Sequence, residues 1–414
     1  MHPAKEGEPP LDSPNWRSAV CLCAVLRFVG SQRGAAGETS EDLPPRWLRA
    51  TEAEGIIEGV KVSELGEFGL IERIREEVGA QDKATTILGP RSKLLIGIGD
   101  DAALWQSTAA AHLATTDTLV AGVHFPRENV SWSDLGWKAL AANVSDIAAM
   151  GGTPEYALVT LALPDDFEVD DALALYRGMI AVGREYGVVI AGGDMVRSSE
   201  VTITVALTGR ASESQRGEPL ALRRNAARDG DLIAVSGSLG NAAGGLRLLV
   251  EARPSSPEAA AFLRRAQLRP QPRVELGQAL LRTGIRCAID ISDGLAQDLR
   301  HVCEASGLGA TVRVTDIPVS QHLSRTFPED AVAMAVGGGE DYELLFTGPV
   351  GIVDRVRGRF AIPITVIGSL ADDPARRVRF VDDAGQEVSF ATAGWDHFAG
   401  GASLHTGQAG GADR

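Results

Sequence analysis

Ordered hydrophobic spacing begins at "VSELGEFGLIERIREEV" (62–78), where Leu70, Ile71, Ile74 and Val78 make a stripe of helical period. From there apolar runs of strand length alternate with longer amphipathic ones. "KLLIGIG", "HLATTDTLV", "YALVTLAL", "GVVIAGG" and "VTITVALTG" read as strands. "WSDLGWKALAANVSDIAAMG" and "VDDALALYRGMIAVGREYG" read as helices between them. Further on, "DLIAVSG", "CAIDIS", "ATVRVT", "YELLFTG" and "ITVIGSL" predict strands. "GNAAGGLRLLVEA", "PRVELGQALLRTG" and "GLAQDLRHVCEASG" predict helices. The pattern is that of a two-domain α/β or α+β chain. The polar stretch "RASESQRGEP" (210–219) separates its halves, giving domains 64–212 and 213–398. Residues 1–63 lack sustained periodicity and read as a disordered extension, and 399–414 as a flexible tail.

Composition narrows the partners. The 414 residues are 44% hydrophobic and 23% charged, ordinary for a globular protein. Fifty-five acidic residues face 40 basic ones, for a net charge of −15, which disfavours nucleic acid and anionic membranes as partners. No apolar run reaches the length of a membrane span; the nearest, "AVCLCAVLRFVG", is interrupted by Arg27. The four cysteines (Cys21, Cys23, Cys287, Cys303) lack metal or redox spacing and fit free thiols in a reducing cytosol.

The chemistry is written in carboxylates. No Walker A loop is present, and none can occur late in the chain because Lys138 is the last lysine. Protein-kinase motifs and a nucleophile elbow are missing too. "GIGDDAA" matches the spacing of a dinucleotide turn, but Asp100 and Asp101 would repel a pyrophosphate there. Acidic residues recur at strand ends or beside Gly, Ser and Thr: Asp100, Asp101, Asp117, Asp146, Asp194, Asp290, Asp293, Glu340 and Asp341. Such a set, with neighbouring hydroxyls at Thr115, Thr116 and Ser292, suits a hard cation such as Mg²⁺ that binds phosphates. Asp146 falls near the last turn of its predicted helix, where the dipole disfavours negative charge, with Asn143 on the same face. A solvated surface aspartate is the plain alternative for it. Asp293 and Ser292 could equally cap the helix that follows them. His124, taken alone, reads as an ordinary packed histidine.

The motifs "GEFGLIERI", "GIGDDAAL", "TTDTLVAGVHF", "WKALAANVSDIAAMGGTPEYALVTLALP", "GGD", "LRPQPR", "IDISDGLAQDL", "GGGEDYELLF" and "GWDHF" occur in this order. Together, over residues 64–398, they resemble the thiamine-monophosphate kinase family of the aminoimidazole-ribonucleotide-synthetase-like superfamily. The resemblance implies a PurM-like α+β architecture: an N-terminal sheet domain that dimerises and a C-terminal α/β domain. It implies ATP- and Mg²⁺-dependent phosphorylation of thiamine monophosphate to thiamine diphosphate by direct in-line transfer, in a cytoplasmic homodimer. Metal positions then fall on Asp101, Thr115, Thr116, Asp117, Asp146, Asp194, Asp290 and Asp293. Nucleotide positions fall on Tyr176, Gly193, Asp194, Arg224 and Ser292, and substrate positions on His124, Glu340 and Trp395. No separate catalytic base is implied. Met195 departs from the family's usual hydroxyl residue after "GGD", and the extension and tail have no counterpart. The competing readings are another ATP-dependent enzyme of the superfamily, such as an aminoimidazole ribonucleotide synthetase, or a non-catalytic nucleotide or thiamine-phosphate binding protein.

Overall fold

The computed structural model describes residues 60–82, 92–96, 104–107, 111–126, 128–251 and 253–390. A first unit runs α1 (Val62–Asp82), β1 (Ser92–Ile96), β2 (Leu104–Ser107), β3 (His112–Val120), α2 (Trp132–Ala149), β4 (Thr153–Leu163), α3 (Val169–Tyr186), β5 (Val189–Arg197) and β6 (Thr202–Arg210). The polar stretch after it folds into a short hairpin, β7 (Ser212–Glu213) and β8 (Pro219–Leu220). A second unit runs β9 (Leu232–Ser236), α4 (Asn241–Val250), α5 (Pro257–Leu268), α6 (Val274–Thr283), β10 (Cys287–Asp290), α7 (Leu295–Ser306) and β11 (Gly309–Arg313). It ends with α8 (Gln321–Thr326), α9 (Ala331–Gly337), β12 (Leu344–Gly348), α10 (Val350–Val356), β13 (Ile364–Ala371) and β14 (Val378–Val381). Helix α1 starts at Val62, two residues inside the expected extension, whose residues 1–59 lie outside the described ones. The expected tail lies outside them too.

Two sheets organise the described chain. The first has the order β3-β6-β4-β5, with β4 and β5 parallel and the other pairs antiparallel. Its inner face packs on α1, α2 and α3 through one apolar core that includes Leu140, Val144, Val159, Leu161, Met179 and Val205. Its other face carries Thr118, Thr204 and the 43%-exposed Leu158. The second sheet has the order β10-β12-β9-β13-β11-β14. Helices cover both its faces, so its strands are apolar on both sides. Ile233, Val235, Ile289 and Leu345 join the core with α7 and α9, while Ala234, Ala288, Leu344 and Phe346 join the core with α6 and α10.

Helix α2 is shared by the two units. Ser131 caps it by accepting from the Asp134 N–H (3.1 Å). Only Trp132, Ser133, Asp134 and Asp146 of its 18 residues are not buried. Such burial demands small residues where backbones cross. A Cβ on Gly136 would lie 1.8 Å from the Leu175 carbonyl oxygen, and one on Gly178 would lie 1.9 Å from that of Ser133. On the other flank, a Cβ on Gly277 of α6 would meet the Ala148 carbonyl at 2.0 Å.

Helix α5 did not stand out by periodicity. Its signal is local: Ser256 accepts from the Ala259 N–H (3.1 Å), and Pro257 occupies the first turn.

The crossings make a stability prediction. Gly136→Ala or Gly178→Ala should destabilise the protein by about 1–3 kcal/mol in urea denaturation. Gly351→Ala in α10, where nothing lies within 4 Å, should be neutral or stabilise by up to about 1 kcal/mol.

Candidate active site

Three elements from the two units bring the acidic residues together. Strand alternation turns Thr115 and Asp117 of β3 inward, toward α2, and turns the side chain of Thr116 to the outer face. In the last turn of α2, Asp146 accepts a hydrogen bond from Thr115 Oγ1 (2.5 Å) and shares another with Asp117. From the second unit, Asp290 ends β10 on the same face as Ala288, the face reached by the end of α2. Only 2% exposed, it accepts from Ser145 Oγ at 2.7 Å. Asp146 is therefore no solvated surface residue.

Their electrostatics follow from burial and mutual repulsion. Burial, then the charge of Asp146, pushes Asp117 up to about 7. The same two causes push Asp290 up to about 7. Burial raises Asp146 as well, opposed by the Thr115 hydrogen bond and the Arg224 guanidinium. Arg224 lies in a short 3₁₀ turn (Arg224–Ala226) and acts on both Asp146 and Asp290. Three carboxylates against one guanidinium leave an excess of negative charge. The donor set is all oxygen, as a hard divalent cation requires, so these residues fit such an ion.

Two loops of the second unit frame the cluster. Asp298 Oδ2 accepts from the backbone N–H groups of Ser292, Asp293 and Gly294, each at 3.1 Å. Neither Ser292 nor Asp293 caps α7, whose N-cap residue is Gly294. Burial, with the charges of Asp290 and Asp293, pushes Asp298 up to about 8. Asp293, Asp298 and His301 also offer ligand atoms within 4.8 Å of one another. The second loop, 339–342, docks on the first: Glu340 N–H donates to the Ser292 carbonyl (2.8 Å), and Tyr342 N–H to that of Ile291 (2.9 Å). Burial, then the charges of Glu340, Asp117, Asp290 and Asp146, raises the Tyr342 hydroxyl, so Tyr342 lies within electrostatic reach of both Glu340 and the cluster.

The remaining expected residues scatter around this centre. Gly193 and Asp194 lie on the edge strand β5, where Asp194 is exposed and a Cβ on Gly193 would strike the Val159 carbonyl at 1.8 Å. His124 Nδ1 accepts from the Val120 N–H (3.0 Å), which makes Nε2 the protonated nitrogen of the neutral ring. Tyr176 differs from expectation. Its ring is 4% exposed within the first unit's core, and burial alone raises its hydroxyl, so it offers a nucleotide no open face. Asp101 and Trp395 lie outside the described residues.

Sequence reasoning missed several partners. Asp341 accepts from the N–H groups of Gly240 (2.6 Å) and Ala242 (3.0 Å), which makes it a cap for α4 rather than a site carboxylate. Ser145, Asp298 and the Arg273–Glu343 pair (Nη2 to Oε1, 2.5 Å) were missed because their partners are distant in sequence or hidden in a loop. For Ser145 a signal did exist: it precedes the out-of-place Asp146.

Comparison with known proteins fits this geometry. Residues 99–211 match the family model described as AIR synthase related protein, N-terminal domain, and residues 228–353 match the C-terminal domain of the same description. The thiamine-monophosphate kinase of Salmonella typhimurium is 39% identical over 342 residues, covering 81% of this chain and 98% of the relative. The crystal structure of thiamine-monophosphate kinase from Stenotrophomonas maltophilia superposes with a TM-score of 0.65 at 37% identity, covering 78% of this chain and 98% of that one. A structure of AaThiL complexed with AMPPCP and TMP gives a TM-score of 0.62 at 30% identity, covering 82% and 99%. With identity at this level along nearly the whole length of these relatives, the chain belongs to the thiamine-monophosphate kinase family and is built from the two AIR synthase related domains.

Proposed function

We propose that the protein transfers the terminal phosphoryl group of ATP directly to the phosphate of thiamine monophosphate, giving thiamine diphosphate and ADP, the last step of thiamine diphosphate formation. The observation that carries this reading is the convergence of Asp117, Asp146 and Asp290 from two units, beside Arg224. Kinship with thiamine-monophosphate kinases, including AaThiL complexed with an ATP analogue and TMP, supports the choice of substrates.

The chemistry asks little of protein acids and bases. The acceptor is an ionised phosphate, already a nucleophile, so catalysis rests on positioning and charge stabilisation. In this reading Asp117, Asp146 and Asp290 hold Mg²⁺, with Asp101, Asp194, Asp293 and Thr115 as further positions and Thr116, whose side chain is on the outer face, contributing through its backbone. Bound Mg²⁺ would supply the positive charge that phosphate oxygens need and the cluster lacks. Arg224, Gly193, Asp194 and Ser292 contact the nucleotide, while His124, Glu340 and Trp395 contact the acceptor. Glu340 offers a carboxylate to the thiamine cation or its amino group. The domain bounds in this reading are 64–212 and 213–398. The reading includes a homodimer; exposed Leu158 and Val196 (43% and 46%) on the outer face of the first sheet support it. Among the described residues no helix is long and apolar enough to cross a membrane, in keeping with a cytoplasmic setting.

Purified protein given ATP, Mg²⁺ and thiamine monophosphate should yield thiamine diphosphate by chromatography, and chelation should abolish it. Asp146→Asn should lower kcat by about 100-fold or more. Nucleotide binding without product would instead favour the binding-protein reading.

The raised carboxylates give a pH dependence. Asp117 and Asp290, at about 7 in the fold, lie above an unfolded aspartate at about 3.9. Between those values the folded state holds more protons than the unfolded chain, so cation-free protein loses stability as pH rises. Urea midpoints should be lower at about pH 8 than at about pH 5.5, and Asp117→Asn or added Mg²⁺ should shrink the difference. A midpoint independent of pH and of Mg²⁺ would refute the metal assignment.

Sedimentation should show a dimer, and Leu158→Asp, which puts a charge on the outer sheet face, should release monomers that keep their helical circular dichroism.

A further inference from the structure

Lys138 is the last of five lysines in a chain whose 40 basic residues are otherwise arginine. Its side chain is 1% exposed, and its Nζ lies 2.6 Å from Oε1 of Glu340, which is 26% exposed. The other oxygen of that carboxylate accepts from Gln267 Nε2 at 2.6 Å. Gln267 is itself buried, and its Oε1 has no hydrogen-bond partner. Turning the amide over would set two acceptors against each other, so the carboxylate dictates its orientation. The arrangement is a clamp: a cation from α2 on one oxygen and an amide from α5 on the other, on a side chain that keeps 26% of its surface exposed.

The backbone of Glu340 is pinned separately. Its φ of +67° is in the left-handed region, strained for a side chain with a Cβ. It is held there by its N–H bond to Ser292 and by Gly339, where a Cβ would lie 2.3 Å from the Ser292 carbonyl. Lys138 and Ser145 are seven residues apart, two turns of α2, and so lie on one stripe of the helix. One reaches Glu340 and the other Asp290. A single rigid helix therefore registers the pocket wall at Glu340 against the acidic cluster.

We propose that Lys138 is a positioning residue for acceptor recognition: with Gln267, it holds the Glu340 carboxylate as a fixed anionic acceptor toward the cationic, amino-bearing part of the thiamine substrate. This rests on the reading that Glu340 faces that substrate. An apolar side chain at 138 would leave the carboxylate free to turn and lacking its counter-charge. A purely structural lysine would alter stability and the handling of both substrates alike.

The test is steady-state kinetics on Lys138→Met, Glu340→Gln and the double variant, with both substrates varied. Glu340→Gln should raise KM for thiamine monophosphate by about 10- to 100-fold. Lys138→Met should do the same while KM for ATP stays within about twofold, and the double variant should be no worse than Glu340→Gln alone. Gln267→Met should raise the same KM by a smaller factor and gives a second readout should Lys138→Met fail to fold. If Glu340→Gln leaves KM for thiamine monophosphate unchanged, the reading of Glu340 falls, and the proposal with it. If Glu340→Gln raises it but Lys138→Met does not, or the two effects multiply, or KM for ATP rises equally, the proposal alone is overturned. With Lys138→Met unfolded, an unchanged KM in Gln267→Met likewise overturns it.

Discussion

Helix α2 is squeezed from both sides, and the site depends on that squeeze. Carbonyl oxygens of α3 and α2 occupy the space where Cβ atoms on Gly136 and Gly178 would be, and the α2 carbonyl of Ala148 does the same at Gly277 of α6. Backbones packed so closely cannot slide without clashing. The polar residues of α2 therefore have set reaches. Asp134 pairs with Arg269, Trp137 Nε1 donates to the Pro270 carbonyl (2.8 Å), and Ser145 donates to Asp290. Each links the first unit to the second, so the distance between their carboxylates is a property of the core.

The geometry explains why repulsion is tolerated. Asp117, Asp146 and Asp290 are drawn from separate elements, each held by its own packing, and none can leave without unpacking a strand or a helix. Bringing like charges together in a buried place opposes folding, and the surrounding apolar cores offset it. The result is an acidic cluster whose positions are set by the fold, an instance of preorganisation. Asp298 plays the opposite part: its carboxylate ties down three successive N–H groups and shapes the loop.

Much of this was legible in the chain. Period two in "HLATTDTLV" sets Thr115 and Asp117 on one face, and a helix stop at Gly151–Gly152 puts Asp146 in a last turn. Those are local rules, and they hold. What local rules could not supply was the pairing of distant segments. Asp341 counted among the recurring acidic residues because it follows a run of glycines, yet its carboxylate goes to the start of α4. Tyr176 was named by resemblance alone, and the stripe of α3 that it occupies faces the core. A buried lysine cannot be told from an exposed one in "WKALAANV" until its partner, some 200 residues on, is brought to it.

Lysine usage has a practical corollary. Beyond Lys138 the chain has no side-chain amine, and Lys138 itself is enclosed. Reagents that acylate or cross-link amines, and proteases that cut after lysine alone, have no target anywhere in the second unit. In the native fold their marks fall on the first third of the chain. The protein is a two-coloured object to such chemistry, with the colour boundary running through the helix that joins its halves.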